Sequence, residues 1–423
     1  MANCAETKGF ILSMLLWMVA TLNAAAATDT RTRTFEPTFR SLQVSVAGAP
    51  DAPPIVGLGL DGQQILIEFD ELASDRRYLR YSLEHLDAAW QPDGTVDSEF
   101  VDGFNEAEVE DVGFSQATLV HYVNYRILLP NEQVRITASG NYLVKVYDEE
   151  RPDEVLLQAR FSVSEMTAGV SASVTDRTDL DSRGEHQQLS ISVDTKHLPL
   201  RDPFNDLRVV VTKNFSPDEQ VTLVTPQRIA GTTAVYEHLR PLIFKAGNEY
   251  RRFETVSSTF PGIGVETIVQ ENPVVNVYLH TDHPRAREQY LYDQTQQGRY
   301  RVRASDVGDS STNADYLMTN FTLEMPRLPQ GEIFIEGDLT ERSLSPRSRM
   351  EWDNDAGCYR QSLLLKQGSY NYRYAVSTPE GISNLIEGDK YPTVNTYTVC
   401  VYHREPGGRY DRLVGVDHIK SGI

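Results

Sequence analysis

Cysteine and tryptophan are scarce in this chain, with three of each among 423 residues. Positive charge is also in the minority: 60 acidic residues outweigh 40 lysines and arginines and leave a formal net charge of −20. Such acidity argues against binding to nucleic acid or to an anionic membrane surface. Beyond the amino-terminal segment, the sequence has no apolar run long enough to span a bilayer. We therefore expect no nucleic-acid partner and no direct membrane insertion, and we favour a partner with a basic surface or bound cations.

The common sequence motifs of catalysis are missing as well. The chain has no nucleophile elbow, no zinc-binding His-Glu-x-x-His, no phosphate-binding loop and no dinucleotide fingerprint. We predict that the protein is not an enzyme. Accordingly, we assign no catalytic, cofactor-binding or metal-binding residue, and we expect no cofactor.

The first 27 residues have the composition of a secretory signal peptide. Lys8 precedes an apolar core over residues 10–22, and alanines at 24–27 offer cleavage sites. Cleavage would remove Cys4 and leave Cys358 and Cys400. In an exported protein these two could form a disulfide, or they could remain two buried thiols.

Three short stretches share one pattern, in which a glycine is followed two residues later by a tyrosine and then by alternating side chains. They are residues 140–146, 298–304 and 368–374. Glycine permits a tight corner, and the tyrosine hydroxyl can bond back to that corner, as in the tyrosine corner of immunoglobulin-like folds. The competing interpretation is a plain hairpin exit before an aromatic strand. We interpret the three stretches as landmarks of three β-sandwich domains.

Further alternating segments, separated by turn residues, extend the β pattern along the chain, and no clear amphipathic helix is present. Examples are residues 65–70, 78–85, 189–193 and 359–365. The predicted fold class is all-β: three consecutive immunoglobulin-like or E-set β-sandwich domains after a cleaved signal peptide of residues 1–27. The expected domains are residues 37–165, 168–315 and 316–423.

Two groups of side chains have metal-ligand chemistry. His280, Asp282 and His283 follow a predicted strand, where an ordinary turn is the simpler interpretation. A polar stretch carries carboxylates of the kind that bind calcium, at Asp176, Asp179, Asp181 and Glu185. The spacing of these carboxylates misses the known calcium-loop pattern, so we expect a solvated loop there.

Two other features are candidates for contact with a partner. The densest acidic run covers residues 102–111, and it is either a partner-facing loop or merely a solvated one. Trp90 could stack on a sugar or on a partner side chain. The alternative, which we favour, is a tryptophan buried inside a sandwich.

Taken in order, several motifs resemble the plug protein family of the type IX secretion system in the Bacteroidota. The resemblance runs from about residue 40 to 415, with one departure at Leu86, where the family pattern suggests cysteine. The matching segments are residues 69–72, 81–92, 103–104, 122–131, 139–148, 248–253, 365–372, 397–404 and 409–415.

The resemblance implies a location and a partner. Members of this family are periplasmic and dock on a large outer-membrane β-barrel, the secretion translocon, where they occlude its periplasmic opening and act as a gate in protein export. The expected state is a monomer within a hetero-complex associated with the outer membrane. The family carries over no catalytic residues, and no short motif fixes its contact residues.

A carbohydrate-binding protein is the alternative. From Ile333 onward the chain resembles glycogen-binding or E-set modules, with Trp352 and the tyrosines of residues 368–374 as possible stacking platforms. A fold-level likeness of this kind supports many functions.

Overall fold

A computed structural model describes residues 29–271, 273–305, 307–379 and 381–422. The proposed signal peptide of residues 1–27, with Cys4, lies outside these ranges. The described chain is 47% strand and 4% helix in several separate sheets, which confirms the all-β prediction. Among these residues, no helix has the length and apolar character needed to cross a membrane.

The first unit, residues 33–164, is a two-sheet sandwich. One sheet has the order β1-β12-β11-β5-β7 with β3 alongside β12, and the other has the order β2-β4-β9-β8. Aromatic rings from Phe39, Phe69, Tyr125, Tyr142 and Phe161 fill the space between the sheets. Its elements are β1 Arg33–Thr34, β2 Phe39–Val46, β3 Ile55–Gly57, β4 Ile65–Glu71, β5 Leu79–Leu86, the helical turn α1 Asp97–Phe100, β6 Val101–Gly103, β7 Ala107–Glu108, β8 Asp111–Phe114, β9 Val123–Leu129, β10 Val134–Ile136, β11 Gly140–Asp148 and β12 Arg151–Ser164.

The second unit begins with strands that form one sheet, β13-β14-β18-β17 with β19 on β14, and the first half of another, β16-β15. Alternation in β14 buries Leu189, Ile191 and Val193. These elements are β13 Gly169–Thr175, β14 His186–Asp194, β15 Leu207–Lys213, β16 Gln220–Leu223, β17 Arg228–Ala230, β18 Thr233–Tyr236, the 3-10 turn Arg240–Leu242 and β19 Ile243–Lys245.

The third unit, residues 251–383, follows with its own core. One sheet gathers β20, β23, β25 and β29 around β28, and the other has the order β21-β22-β24-β27-β26. Its elements are β20 Arg251–Glu254, β21 Val265–Val269, β22 Asn276–Leu279, β23 Tyr300–Val302, α2 Ser310–Asn313, β24 Tyr316–Leu323, β25 Glu332–Glu336, the 3-10 turn Asp338–Thr340, β26 Glu351–Asp353, β27 Cys358–Lys366, β28 Gly368–Thr378 and β29 Gly381–Ser383.

The last two strands, β30 Thr396–His403 and β31 Arg412–Lys420, return to the second unit. There they complete the sheet β16-β15-β30-β31, with Val210 of β15 opposite Cys400 of β30. Tyr397 and Val399 pack in the second unit's core. The third unit is therefore inserted into the second, between β19 and β30.

This connectivity differs from the expected consecutive domains 168–315 and 316–423. Strand β22 pairs in parallel with β24, so residues on both sides of the expected boundary share one sheet. No local sequence signal encodes the pairing of β15 with β30, because it joins segments on either side of the whole third unit.

Two of the three glycine–tyrosine stretches form tyrosine corners, in which the tyrosine hydroxyl bonds back to the backbone before the strand. Tyr142 donates its hydroxyl hydrogen to Ala138 O at 2.7 Å, and Tyr370 donates to Lys366 O. Tyr300 instead stacks on Tyr370, with ring centroids 4.9 Å apart. Two of the three stretches thus belong to the third unit and none to the second, so the interpretation of one landmark per domain is wrong.

Candidate functional site

The first and third units meet at a buried ion pair. Lys366 Nζ lies 2.6 Å from Asp70 Oδ2, and Tyr316 donates its hydroxyl hydrogen to the same oxygen at 2.7 Å. Asn124 donates to Asp70 Oδ1 at 2.8 Å. Lys366 also lies over the Tyr122 ring, 4.1 Å from its centroid. Asp70 and Lys366 are 0% and 2% exposed, so the charges of this pair are neutralised out of contact with water.

Burial raises the pKa values of Asp70 and of its neighbour Tyr316. It raises the pKa of Asp70, against the opposing pull of Lys366 and of the hydrogen bonds from Asn124 and Tyr316. Burial beside Asp70 also raises the pKa of Tyr316 well above its ordinary value, so the phenol keeps its hydrogen. The pair links two units, and its donors and acceptors are already occupied by protein groups.

The first and second units meet around Asn141. Its Oδ1 accepts hydrogen bonds from Tyr402 and Ser162, each at 2.8 Å, and its Nδ2 donates to Asp87 O at 2.8 Å. Asp411 accepts from the backbone of Ala88 at 3.0 Å. The strand β30 that completes the second unit is thereby attached to the first.

The second and third units are joined by a chain of alternating charges. Lys213, which is 1% exposed, lies 3.3 Å from Glu219, whose same oxygen is 3.5 Å from Arg373. Arg373 contacts Glu336 at 2.5 Å, and Glu336 contacts Arg342 at 3.3 Å. Burial alone would raise the pKa of Glu219, but Lys213 and Arg373 outweigh it and lower the pKa to about 2.

A cavity of about 600 Å³ lies where the three units converge. Its wall combines β2 and β12 of the first unit, β15, β16 and β30 of the second, and residues 299–302 and 338–342 of the third. We call it the central cavity. Sequence reasoning missed it, because no single segment contributes most of its lining.

Trp90 lines the central cavity and is only partly buried. It sits in a turn with φ of +61°, and the Arg160 guanidinium lies 4.6 Å from its ring centroid. The favoured expectation of a tryptophan buried inside a sandwich is therefore wrong. The Trp90 ring instead faces the junction of the units.

The acidic run 102–111 alternates between short strands and connecting residues: it holds the end of β6, all of β7 and the first residue of β8, with residues 104–106 and 109–110 between them. Ala107 and Val109 are buried, and Glu106 pairs with Arg80 at 3.0 Å. The Asn105 side chain clamps Leu83 by accepting from its N–H at 2.8 Å and donating to its carbonyl at 2.6 Å. This framework holds Phe104 outward with 86% of its surface exposed.

The residues of the first candidate metal site, His280, Asp282 and His283, are not arranged as a set of ligands. Asp282 accepts bonds from Arg251, Tyr372 and Tyr374 at 2.7, 2.6 and 2.7 Å, while His280 and His283 are exposed. Within the described ranges, no group of three or more His, Cys, Asp or Glu side chains is arranged to hold a metal ion.

The second acidic group is satisfied by its own loop. Asp181 accepts from the Glu185 backbone at 2.9 Å and contacts His186 Nδ1 at 2.7 Å. Asp179 accepts from Gln188 at 2.7 Å, and Asp176 pairs with Arg183 at 3.5 Å. These contacts fit a surface loop closed by its own polar groups, as the spacing suggested.

The remaining candidates are structural. Cys358 and Cys400 are free thiols, so the possible disulfide is not formed. Trp352 packs edge-on against Tyr359 at 4.9 Å between centroids and against the third unit's core. That packing leaves it poorly placed as an open platform for a sugar ring.

Comparison with known proteins gives one match to the first unit and one similarity over nearly the whole chain. A family model for the "Type 9 secretion system plug protein 1st domain" matches residues 39–165. A crystal structure of a hypothetical protein from Parabacteroides merdae is 38% identical, with a TM-score of 0.90 over 93% of this chain and 100% of that one.

Other similarities are too weak to carry an argument. An alkylpurine DNA glycosylase from Pseudomonas fluorescens has a TM-score of 0.18 at 12% identity, over 30% of each chain. An α2-macroglobulin fragment from Escherichia coli has a TM-score of 0.16 at 12% identity, over 47% of this chain and 97% of that one. No curated protein matches. The matched first unit supplies Asp70, Asn141 and Trp90 to the three-way junction. Because this unit matches the family model, this chain belongs to the type IX secretion system plug protein family.

Proposed function

We propose that this protein is the periplasmic plug of the type IX secretion system. It docks on the outer-membrane translocon barrel, occludes the periplasmic opening and acts as a gate during protein export, as a monomer in a hetero-complex. Membership of the plug family supports a role in type IX secretion and a location in the envelope. The docking partner and the gating step are the proposal.

The observation that carries the proposal is the joining of three sandwiches at buried polar links. Lys366 with Asp70, Tyr402 with Asn141, and Arg373 with Glu219 each connect two units. A cover for a wide pore needs breadth and resistance to deformation. Side-by-side units fixed at their contacts meet both needs, whereas sandwiches on flexible linkers would move independently.

The surface suits a contact that forms and releases. A net charge of −20 limits self-association and favours a basic or cation-bearing rim on the partner. Phe104, held outward within an acidic segment, has the character of an aromatic anchor surrounded by polar groups. We assign this segment, residues 102–111, as the first docking surface to test.

Two experiments in the native host test the proposal: deletion of the gene, and affinity capture of a tagged chain. Deleting the gene should leave translocon pores open, so cells should take up large antibiotics that the outer membrane normally excludes. Re-expressing the chain should reverse this. A tagged chain captured from gently solubilised outer membranes should bring one very large barrel protein with it. Unchanged permeability together with normal secretion, or capture without a barrel, would refute the proposal.

A further inference from the structure

The lining of the central cavity contains more arginines without an ion-pair partner than carboxylates without one. Among its lining residues, four arginines make ion pairs, namely Arg31, Arg126, Arg301 and Arg342. The other two, Arg160 and Arg299, make no ion pair with any described residue. Of the acidic lining residues, only Glu341 lacks a cationic partner, and it accepts bonds from Thr34 instead. An acidic protein thus keeps two uncompensated guanidinium groups at its centre.

Aromatic rings hold both of these guanidinium groups. Arg160 lies 4.6 Å from the Trp90 ring centroid and Arg299 lies 4.5 Å from that of Phe215, and both rings line the cavity. Stacking fixes the plane of a guanidinium while leaving its edge free for a planar anion. Four side chains from the three units therefore present two oriented cations to one space.

Arg160 is the better placed of the two to bind a ligand. Its Nε donates to Thr30 O at 2.6 Å and its Nη2 donates to Thr30 Oγ1, which leaves Nη1 without an acceptor among the described residues. Arg299 uses both terminal nitrogens on the carbonyls of Asp51 and Pro50. Burial also lowers the pKa of Arg160 to about 10, because the cost of burying the charge outweighs the opposing attraction of Asp29.

We propose that the central cavity binds a small organic anion, with its carboxylate or phosphate on Arg160 beside Trp90 and its body against the apolar wall. Arg299 adds positive charge to the same space. A volume of about 600 Å³ lies within the usual range for small-molecule sites, which also favour the boundaries between domains. The apolar wall includes Val44, Pro54 and Val210. This site is independent of docking on a translocon.

Calorimetric titration of the full mature chain tests the proposal. The probes are citrate, glucose 6-phosphate, inorganic phosphate and neutral glucose, so that carboxylate, phosphate and sugar are separated. We expect at least one of the two organic anions to bind, and glucose not to bind. Arg160→Gln should weaken that binding by about tenfold or more, the effect of losing one charge-assisted contact. Arg349→Gln, at a half-exposed arginine that does not line the cavity, should leave that binding unchanged.

A second variant covers the case in which Arg160→Gln fails to fold. Ser45 also lines the cavity, on β2, and the bulk of the Ser45→Trp side chain should obstruct the cavity and abolish anion binding. The proposal is overturned if neither organic anion binds, if glucose binds as tightly as its phosphate, or if binding survives a folded Arg160→Gln or Ser45→Trp variant.

Discussion

Lys366 and Asp70 are 296 residues apart in sequence, yet Nζ of the lysine lies 2.6 Å from Oδ2 of the aspartate with both side chains buried. Asp70 lies near the end of β4 and Lys366 at the end of β27, and neither has another charged partner within the described residues. Their contact therefore depends on the docking of the first and third units, and it reports whether that docking is intact.

Removing one member of this pair should be strongly destabilising. Lys366→Met leaves a buried carboxylate unpaired, and we expect a loss of about 3–5 kcal/mol in unfolding free energy. Asp70→Asn together with Lys366→Met should recover part of it. Urea denaturation followed by fluorescence measures the change. Lys145→Met, at the half-exposed pair with Glu84 (2.7 Å), is the matched control and should cost about 1 kcal/mol or less. Equal losses in the two variants would contradict a special role for the buried pair.

The insertion of the third unit into the second predicts which strands lose protection when a core residue is altered. Val399 of β30 and Val277 of β22 are both fully buried, in different cores. Val399→Asp should speed amide hydrogen exchange in β14 and β15, and Val277→Asp should speed it in β24 and β27. If Val399→Asp instead exposes β24 and β27 and spares β14, consecutive domains are the correct description.

Acid should weaken the contact between the second and third units. Because Lys213 and Arg373 lower the pKa of Glu219 to about 2, its stabilising contribution is complete above its ordinary pKa near 4.5. The contribution is lost as the pH falls towards 2. Thermal unfolding between pH 2 and 7 should show a shallower acid slope for Glu219→Gln than for the wild type. Glu288→Gln, at an exposed site, should follow the wild-type curve, and parallel curves for all three proteins would rule out this role for Glu219.

Phe104 should matter for docking and not for folding. With 86% of its surface exposed, Phe104→Ser should leave the unfolding temperature unchanged within about one degree, as expected for surface substitutions. Recovery of the translocon barrel with the tagged chain should fall several-fold. Phe260→Ser, on the third unit with 72% exposure, is the matched control and should have no effect. If both variants capture the barrel fully, residues 102–111 do not form the docking surface.

The local alternation of apolar and polar residues predicted many of the strands. The features that the sequence did not predict, namely the domain connectivity and the links between units, depend on contacts between distant segments. Alternation in β4, β5 and β14 was readable because one face of each strand is buried. The corner at Tyr142 could be predicted because its glycine, Gly140, lies only two residues before it in the sequence. The lysine at 366 was a usable signal, since it follows three leucines in one strand and needs a buried acidic partner. Nothing local identifies Asp70 as that partner, and nothing local pairs β15 with β30.

The return of β30 and β31 to the second unit has a consequence for how the protein is made. Translation delivers β13 to β19 first, then the entire third unit, and only after it the two strands that close the remaining sheet. Until then β15 offers an open hydrogen-bonding edge and an uncovered apolar face, the features that invite pairing with other chains. A chaperone, or delivery through an export machine that keeps the chain extended, would protect that edge until β30 is in place.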